Sequence, residues 1–532
     1  MHFKIKMIRL TARRNMLHRG RSFSSKTYPP HLFTRVQEHD RKNLPALFDT
    51  YGNISYSDLF LLARKWASIL VEKNTNKNDD INEQRIAFLT CRSRKYVAMQ
   101  WAIWLSGGIA VPLYGLHPVA ELEHILHDAD VMCIITEEKH IEKIKAATKR
   151  PIFLLKDFKN NHLSSTMIGQ NTSFDVVREH FAHSRGAQLL YTSGTTGVPK
   201  GVLMTHGNLS HQLSDLEDVW GMSKKDHHLH CLPLHHTHGI LCQLLLPLYA
   251  GASVEMCPDA KPTTLWKALS EPQRKMTLMM AVPTLYATLL ETADKHATPS
   301  AMQTLSNMRV TIAGSMACPV PLLSAWKKAT GQRMLERYGM TEAGMILSQN
   351  LRGIRIPGTV GTPLPSVNIK VKEDGKLLIA GPSVFSHGYW RKEAVLENND
   401  AGWFDTGDFA EYDTDSNTYR LLGRGSVDIF NRGGYKISAL EIERVLLEVE
   451  QITEAYVIGI SDDKYGQRLI AILRLNNIYE KEMSKECIQN HLHNHLAKYK
   501  HPQEYLFVQE IPKNALGKVN KKQLAEWIQT EV

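Results

Sequence analysis

The run Tyr191-Thr-Ser-Gly-Thr-Thr-Gly-Val-Pro-Lys-Gly201 is the most informative stretch of this 532-residue chain. It overlaps the end of the strand-like segment Gln188–Thr192 and contains four Ser or Thr residues, three glycines and one lysine. Small residues let backbone N–H groups approach an anion closely, while hydroxyl groups add donors and lysine adds positive charge. The run does not fit the Walker A pattern G-x-x-x-x-G-K-S/T. It predicts a phosphate-binding loop of another kind, with a flexible surface turn as the alternative.

Short apolar runs alternate with helical patterns along most of the chain. Arg85–Thr90 and Arg309–Ala313 have the pattern of buried strands, and Lys95–Leu105 has the pattern of a helix. Such alternation is typical of α/β folds in which helices cover mostly parallel sheets. The sequence therefore predicts an α/β fold for the greater part of the chain.

The character of the sequence changes at Gly423–Ser426, where short strands and charged helices follow the longer α/β pattern. A chain of this length also exceeds what one hydrophobic core normally supports. We predict a large N-terminal α/β domain over residues 27–423 and a small, mobile α+β C-terminal domain over residues 424–532.

The formal net charge of +10 is concentrated at the N-terminus. Residues 1–37 contain nine Lys or Arg and no Asp or Glu, so nucleic-acid binding by the folded body has no support. This Arg-rich, Ser-containing composition predicts a mitochondrial transit peptide over residues 1–26, with a disordered basic tail as the alternative.

Seven scattered cysteines without a C-x-x-C pair favour free thiols in a reducing compartment such as the matrix. No apolar run reaches the roughly 18 residues that a membrane-spanning helix needs.

Six more segments accompany the phosphate loop, and their residue types and order identify a family. They are Ala313–Ala317, Glu336–Gly344, Trp403–Asp408, Gly423–Ser426, Asn431–Lys436 and Pro512–Lys518. With them, residues 45–525 resemble the adenylate-forming superfamily of acyl-CoA synthetases, firefly-type luciferases and peptide-synthetase adenylation domains. The resemblance implies an AMP-forming acid–thiol ligase that uses ATP, Mg²⁺ and coenzyme A. Such an enzyme forms an acyl-adenylate with release of pyrophosphate, and then a thioester with release of AMP.

The resemblance also implies which residues bind the nucleotide. The residues expected at the β- and γ-phosphates are Thr192, Ser193, Gly194, Thr195, Thr196, Gly197 and Lys200. Those expected around the adenine are Gly314, Ser315, Tyr338, Gly339 and Met340. Asp408 is expected to accept hydrogen bonds from the two ribose hydroxyls, and Arg424 to contact the nucleotide.

Three residues are implied in catalysis and one in binding coenzyme A. Thr341 is expected at the α-phosphate, Glu342 at Mg²⁺, and Lys518 at the substrate carboxylate and α-phosphate. Attack of a carboxylate on the α-phosphorus needs the phosphate charge offset and the leaving pyrophosphate held, which suits these residue types. Lys436, in the segment Asn431–Lys436, is expected near the pantetheine of coenzyme A.

Within the superfamily the chain most resembles the malonate-activating acyl-CoA synthetases. The runs Arg355–Pro365 and Gly433–Glu443 carry this resemblance, as does Ser426, where other members usually have Asp or Lys at a hinge. The acid is therefore expected to be malonate, and methylmalonate as a further substrate.

A short dicarboxylate needs a cation for its second carboxylate, because an unpaired buried charge is costly. The candidates are Arg309 and Arg355, assisted by His236 and Thr237. These His and Thr residues can equally line an ordinary acyl pocket. Two other functions also stay open: a medium-chain or aryl acid–CoA ligase, and a non-catalytic nucleotide-binding protein on the same fold.

Overall fold

The structure is a computed structural model. It describes residues 29–40, 43–73, 80–160, 182–192, 199–271, 273–384, 388–390, 402–432, 435–462, 466–476, 484–513 and 519–531. The predicted transit peptide, Ser193–Gly197 of the phosphate loop and Lys518 lie outside the described residues.

The α-helices are distributed along the whole chain. They are α1 (Leu32–Asp40), α2 (Tyr56–Glu72), α3 (Arg94–Leu105), α4 (Val119–Asp128), α5 (Ile141–Ala147), α6 (Asp157–Asn160), α7 (His206–Val219), α8 (Leu246–Ala250), α9 (Pro262–Leu269), α10 (Pro283–His296), α11 (Pro299–Asn307), α12 (Val320–Thr330), α13 (Ala439–Leu446), α14 (Lys485–His495) and α15 (Lys521–Glu531). A π-helical segment, His238–Leu245, leads into α8.

The strands alternate with these helices up to residue 340 and follow one another more closely afterwards. They are β1 (Pro45–Asp49), β2 (Gly52–Ser55), β3 (Arg85–Leu89), β4 (Ile109–Pro112), β5 (Cys133–Thr136), β6 (Ile152–Leu154), β7 (Gly186–Thr192), β8 (Lys200–Thr205), β9 (His227–His230), β10 (Ser253–Met256), β11 (Leu278–Ala281), β12 (Val310–Ala313), β13 (Leu335–Met340), β14 (Gly344–Ser348), β15 (Thr362–Pro363), β16 (Asn368–Val371), β17 (Lys376–Ala380), β18 (Phe404–Asp413), β19 (Thr418–Arg424), β20 (Ile429–Arg432), β21 (Tyr435–Ser438), β22 (Ile452–Asp462), β23 (Gly466–Leu475) and β24 (Glu504–Phe507).

Two large sheets form the body of the chain. The first has the order β15-β14-β13-β12-β11-β9-β10-β1-β2, and its six central strands from β13 to β1 run parallel. The second has the order β6-β5-β3-β4-β7-β8 and is parallel except for the β7–β8 pair. Parallel strands need long crossover connections, which explains the helices between them.

Helix α3 belongs to one hydrophobic cluster that includes strands of both large sheets. Every residue from Tyr96 to Leu105 is buried, so this helix is enclosed on all sides. Trp101 and Trp104 of α3 and Trp66 of α2 are among the largest fully buried side chains. Because aromatic side chains bury the most area per residue, they contribute much of the stability of this core.

The chain after residue 364 is largely antiparallel and leads into the small C-terminal unit. Strands β16–β19 form a four-stranded meander, β20–β21 a hairpin, and β22–β24 a sheet on which α13 packs. The large hydrophobic cluster includes residues up to Tyr419, while a separate cluster begins at Phe430. The predicted fold class, a large α/β domain with mostly parallel sheets and a smaller C-terminal domain, is confirmed. No helix in the described part of the chain has both the length and the apolar character needed to cross a membrane.

Candidate active site

The carboxyl ends of neighbouring parallel strands bring two predicted segments to one edge of the nine-stranded sheet. Strand β12 ends at Ala313 and is followed by Gly314 and Ser315, while the adjacent β13 ends at Met340. Ligands of open parallel sheets bind at this edge. Ser315 has φ +72°, a backbone conformation that costs free energy in a residue with a Cβ. The geometry therefore supports the predicted position of this segment in a binding site.

Tyr338, Asp408 and Arg424 come together although 86 residues separate the first from the last. The Tyr338 hydroxyl donates to Asp408 Oδ2 at 2.5 Å, and Arg424 Nε donates to Asp408 Oδ1 at 3.1 Å. Asp408 and Arg424 also face each other in the β18–β19 register. Burial raises the pKa of Asp408 despite the nearby guanidinium. Asp408 is therefore a buried carboxylate that accepts hydrogen bonds from both Tyr338 and Arg424.

Glu342 and Lys200 meet at Tyr389. The Tyr389 hydroxyl donates to Glu342 Oε1 at 2.8 Å, and the Lys200 ammonium lies 5.4 Å from the centroid of the Tyr389 ring. Burial and the adjacent Glu342 raise the pKa of Tyr389, so its hydroxyl remains a donor. Thr192 is paired with Lys200 in the β7–β8 ladder, at the two stems of the phosphate loop. The loop stems and the expected metal ligand therefore share one region.

Lys436, on strand β21 of the C-terminal unit, contacts the meander. Its ammonium donates to the Asp374 carbonyl oxygen at 3.2 Å, lies 3.6 Å from Asp374 Oδ2, and is 4.8 Å above the Phe409 ring. It lines a cavity of about 250 Å³ that also includes Arg444 and Lys500. Within the described part of the chain, Lys436 forms no hydrogen bond or ion pair with Tyr338, Asp408 or Glu342.

The two arginines expected to bind the second carboxylate lie elsewhere. Arg309 precedes β12, so it is at the opposite end of that strand from Ser315, and it forms an ion pair with Asp226 at 2.7 Å. Arg355 donates to the carbonyl oxygens of Arg333 and Leu351, near the start of β13. The expectation for both residues is therefore corrected: Arg309 forms a partly buried ion pair with Asp226, and Arg355 holds a loop through backbone carbonyl oxygens.

The histidine segment reaches the site through His238, which directly follows the predicted residues His236 and Thr237. Thr237 is buried, and His236 contacts the His235 ring with centroids 3.8 Å apart. His235 stacks on Tyr114 at 4.0 Å, and burial lowers its pKa, so the ring stays neutral. His238 Nδ1 lies 3.2 Å from Ser315 Oγ. This contact places the segment beside the carboxyl end of β12.

Arg337 is the residue that the sequence reasoning missed. Its side chain is buried, its guanidinium lies within 3.5 Å of Ser315 Oγ, and its Nε has no hydrogen-bond partner. No carboxylate among the described residues forms an ion pair with it. A Cβ on Gly314 would lie 2.6 Å from the guanidinium, so a larger residue there would displace the end of the Arg337 side chain. The available signal was a charged residue inside a buried parallel strand, where apolar residues are the rule.

The fold and the cluster around Asp408 define an adenylate-forming enzyme, and the sequence comparisons agree. The AMP-binding enzyme family matches residues 33–390, and the AMP-binding enzyme C-terminal domain matches residues 441–518. The chain belongs to this family and is an AMP-forming acyl-CoA synthetase.

Particular relatives narrow the comparison. The mitochondrial malonate–CoA ligase ACSF3 of Mus musculus is 38% identical over 95% of this chain and 93% of its own length. A malonate–CoA ligase of Arabidopsis thaliana is 37% identical over 84% of this chain and 78% of its own. The crystal structure of ATP-bound MatB from Rhodopseudomonas palustris is 28% identical, with a TM-score of 0.82 over 94% of this chain and 99% of that one.

Proposed function

We propose that this protein is an ATP-dependent malonate–CoA ligase, which also accepts methylmalonate. The observation that supports malonate as the acid is Arg337. Its guanidinium is buried beside Ser315 and His238 and has no carboxylate partner among the described residues. The similarity to malonate–CoA ligases over most of the chain supports the same substrate.

A buried unpaired arginine favours a dicarboxylate for a physical reason. One carboxylate of malonate attacks the α-phosphorus, and the other must be neutralised inside the pocket. Arg337 supplies a planar pair of donors for that second carboxylate, with Ser315 and His238 as neighbouring hydrogen-bonding groups. A monocarboxylic acid leaves the guanidinium buried and unpaired, so the same residue that attracts malonate disfavours apolar acids. An apolar acyl chain therefore fits this pocket poorly.

The adenylation step follows from the residues around the nucleotide. The loop from Thr192 to Lys200 holds the β- and γ-phosphates, and Thr341 contacts the α-phosphate. Asp408 binds the ribose hydroxyls and so fixes the α-phosphorus relative to the acid. Lys518 approaches the carboxylate and α-phosphate and offsets the negative charge that develops as the new P–O bond forms. Pyrophosphate leaves, and the coenzyme A thiol later attacks the acyl carbonyl and releases AMP.

Glu342 fits the role of a Mg²⁺ ligand. Its carboxylate is held by the Tyr389 hydroxyl at 2.8 Å, close to Lys200 at the phosphate loop. Mg²⁺ in phosphate sites is usually bound by one or two carboxylates together with phosphate oxygens. The ion would neutralise phosphate charge, while Glu342 and Tyr389 fix where that charge is neutralised.

Coenzyme A is proposed to bind along the C-terminal unit at Lys436. Tyr435 and Tyr499 are exposed and stacked with centroids 4.6 Å apart, next to Lys436 and Lys500. Exposed aromatic rings beside cations suit a purine nucleotide that carries phosphates. Since Lys436 here contacts Asp374, thioester formation requires the C-terminal unit to move.

The boundary for that movement is proposed between residues 27–423 and 424–532, with Ser426 as the hinge residue. The two hydrophobic clusters are separate on either side of it. Gly423 has φ +119°, and a Cβ there would lie 2.4 Å from the Asp428 Cβ, so the turn into the hinge requires glycine.

The site of action is proposed to be the mitochondrial matrix. Residues 1–26 have the composition of a transit peptide, all seven cysteines are free thiols, and several relatives are mitochondrial. A fusion of residues 1–26 to a fluorescent reporter tests this: import into mitochondria is expected, and a diffuse cytosolic signal would contradict it.

The test of the activity is acid-dependent pyrophosphate release with ATP, Mg²⁺ and coenzyme A. Malonate, methylmalonate, acetate, octanoate and coumarate are compared at equal concentrations. Malonate is expected to react fastest. A preference for octanoate or coumarate would contradict malonate as the substrate but would agree with the adenylation chemistry. ATP binding without acid-dependent pyrophosphate release would refute the proposed activity.

A further inference from the structure

Two histidines and a glutamate gather on the C-terminal unit, and none of the three is assigned to the proposed reaction. His491 and His495 lie one turn apart on α14, and Glu448 follows the end of α13. One ligand atom from each of the three residues lies within 4.8 Å of the other two. We propose that Glu448, His491 and His495 form a binding site for Zn²⁺ or a similar divalent transition-metal ion.

The backbone that carries these side chains is fixed by packing. Ile488 and Leu492 of α14 are fully buried in the same hydrophobic cluster as Ile442 and Leu446 of α13. Residues four apart on a helix project from the same side, so His491 and His495 point together while the apolar face holds α14 against α13. The core therefore fixes the backbone that carries the two histidines, and Glu448 lies in the turn directly after α13.

The distances suit a metal ion with nitrogen and oxygen ligands. His491 Nε2 lies 3.7 Å from Glu448 Oε2. In a tetrahedral zinc site with bonds of about 2.1 Å, ligand atoms are about 3.4 Å apart. All three ligand atoms lie within 4.8 Å of one another, and the exposed side chains of Glu448 and His495 have room to rotate towards the closer spacing. Two imidazoles and one carboxylate form a ligand set typical of Zn²⁺, with a fourth position left for water.

Hydrogen bonds of the rings orient their lone pairs. His495 Nδ1 lies 2.8 Å from the His491 carbonyl oxygen, which can only accept, so the ring proton is on Nδ1 and the Nε2 lone pair is available. A second ring nitrogen that donates to a carbonyl is the usual support of a metal-binding histidine. His491 Nε2 lies 3.1 Å from the Val445 carbonyl oxygen. A metal ion bound to Nε2 cannot occupy the position of this hydrogen bond, so metal binding breaks it, turns the ring away from the Val445 oxygen and moves the ring proton to Nδ1.

The experiment is a titration of the full-length, tag-free protein with Zn²⁺ in competition with a chromophoric chelator. The variants are H495A and E448Q, and H493A is the matched control because His493 lies on the same helix outside the cluster. The wild type and H493A are each expected to bind one Zn²⁺ ion more than H495A does. If H495A binds the same number of ions, its affinity for the additional ion is expected to be at least about tenfold lower. Equal number and affinity in the wild type and H495A would overturn the proposal.

Cys487, one helical turn before His491, provides a second check. A C487S variant is expected to keep the site. If C487S loses the bound Zn²⁺ while H495A retains it, the thiol and not the proposed set is the ligand, and the proposal is wrong. Circular dichroism and acid-dependent pyrophosphate release, expected to be unchanged in every variant, establish that each protein is folded.

Discussion

Replacement of Arg337 by methionine is the sharpest test of the proposed acid site. Methionine has a similar length and no charge, so it keeps most of the packing around Gly314 and Ser315. Because no carboxylate of the described residues pairs with Arg337, its removal leaves no orphaned charge in the protein, and R337M is expected to fold. A loss of catalytic efficiency is expected only with a dicarboxylate substrate.

The magnitude follows from the burial of the guanidinium. Arg337 is 4% exposed, so a malonate carboxylate facing it is removed from water. Removing one partner of such a buried charge pair costs about 2–5 kcal/mol. At about 1.4 kcal/mol per tenfold, kcat/KM for malonate falls by roughly 30-fold to several thousand-fold. For butyrate, which has an uncharged chain end, no pair is lost and kcat/KM is expected to stay the same or rise.

The assay compares kcat/KM for malonate and butyrate in pyrophosphate release, together with KM for ATP. R355M is the matched control, because the hydrogen bonds of Arg355 within the described part of the chain go to the carbonyl oxygens of Arg333 and Leu351, and its variant should keep the malonate preference. The reasoning fails if R337M retains that preference, or if it loses malonate, butyrate and ATP use in equal proportion.

Three further results are expected, on Mg²⁺ use, stability and pH. Y389F removes the hydrogen bond to Glu342, so the Mg²⁺ concentration for half-maximal rate should rise about tenfold; an unchanged Mg²⁺ dependence would contradict the metal assignment. K521M removes the ammonium group that pairs with Asp428 and Glu443 at 2.5 and 2.6 Å. The free energy of unfolding measured in urea should therefore fall by about 3–5 kcal/mol, whereas K522M, a change at an exposed lysine, should leave it unchanged. Burial lowers the pKa of His228 to about 3, below its unfolded value, so stability falls as pH drops from about 6.5 towards 3. H228F should reduce that slope by about 1.4 kcal/mol per pH unit in urea melts, and an unchanged slope would refute the assignment.

The sequence predicted local structure better than the contacts between distant segments. The strand expected at Arg309–Ala313 is observed at Val310–Ala313, and the helix expected at Lys95–Leu105 begins one residue earlier. Periodicity reports such elements directly, since each depends on a few consecutive residues. The meeting of Tyr338, Asp408 and Arg424 depends on how three separate strands pack, which no local pattern contains; the family resemblance alone suggested that they act together.

The failure at Arg309 and the omission of Arg337 have one cause, which is the direction of the strands. In a parallel sheet the residue before a strand and the residue after it lie at opposite edges, so Arg309 and Ser315 cannot face the same ligand. Arg337 lies within β13, close to the correct edge, between Glu336 and Tyr338 of a motif that the family resemblance links to the nucleotide. Strand direction, which the order of apolar runs already implies, favours Arg337 over Arg309 as the cation for the acid.

A continuous series of polar contacts connects Asp408, the proposed ribose-binding residue, to the C-terminal unit. Its carboxylate accepts from Arg424 Nε, while the Arg424 backbone N–H donates to Asp428 Oδ2 at 3.0 Å. Asp428 Oδ1 in turn accepts from Lys521 of α15, which also pairs with Glu443 of α13. In the proposed function, a ribose bound at Asp408 would compete for the oxygens that accept from Tyr338 and Arg424. Nucleotide binding of this kind would change the side-chain contacts of Arg424 at the start of the proposed hinge, whereas the hydrogen bond from its backbone N–H to Asp428 does not involve Asp408.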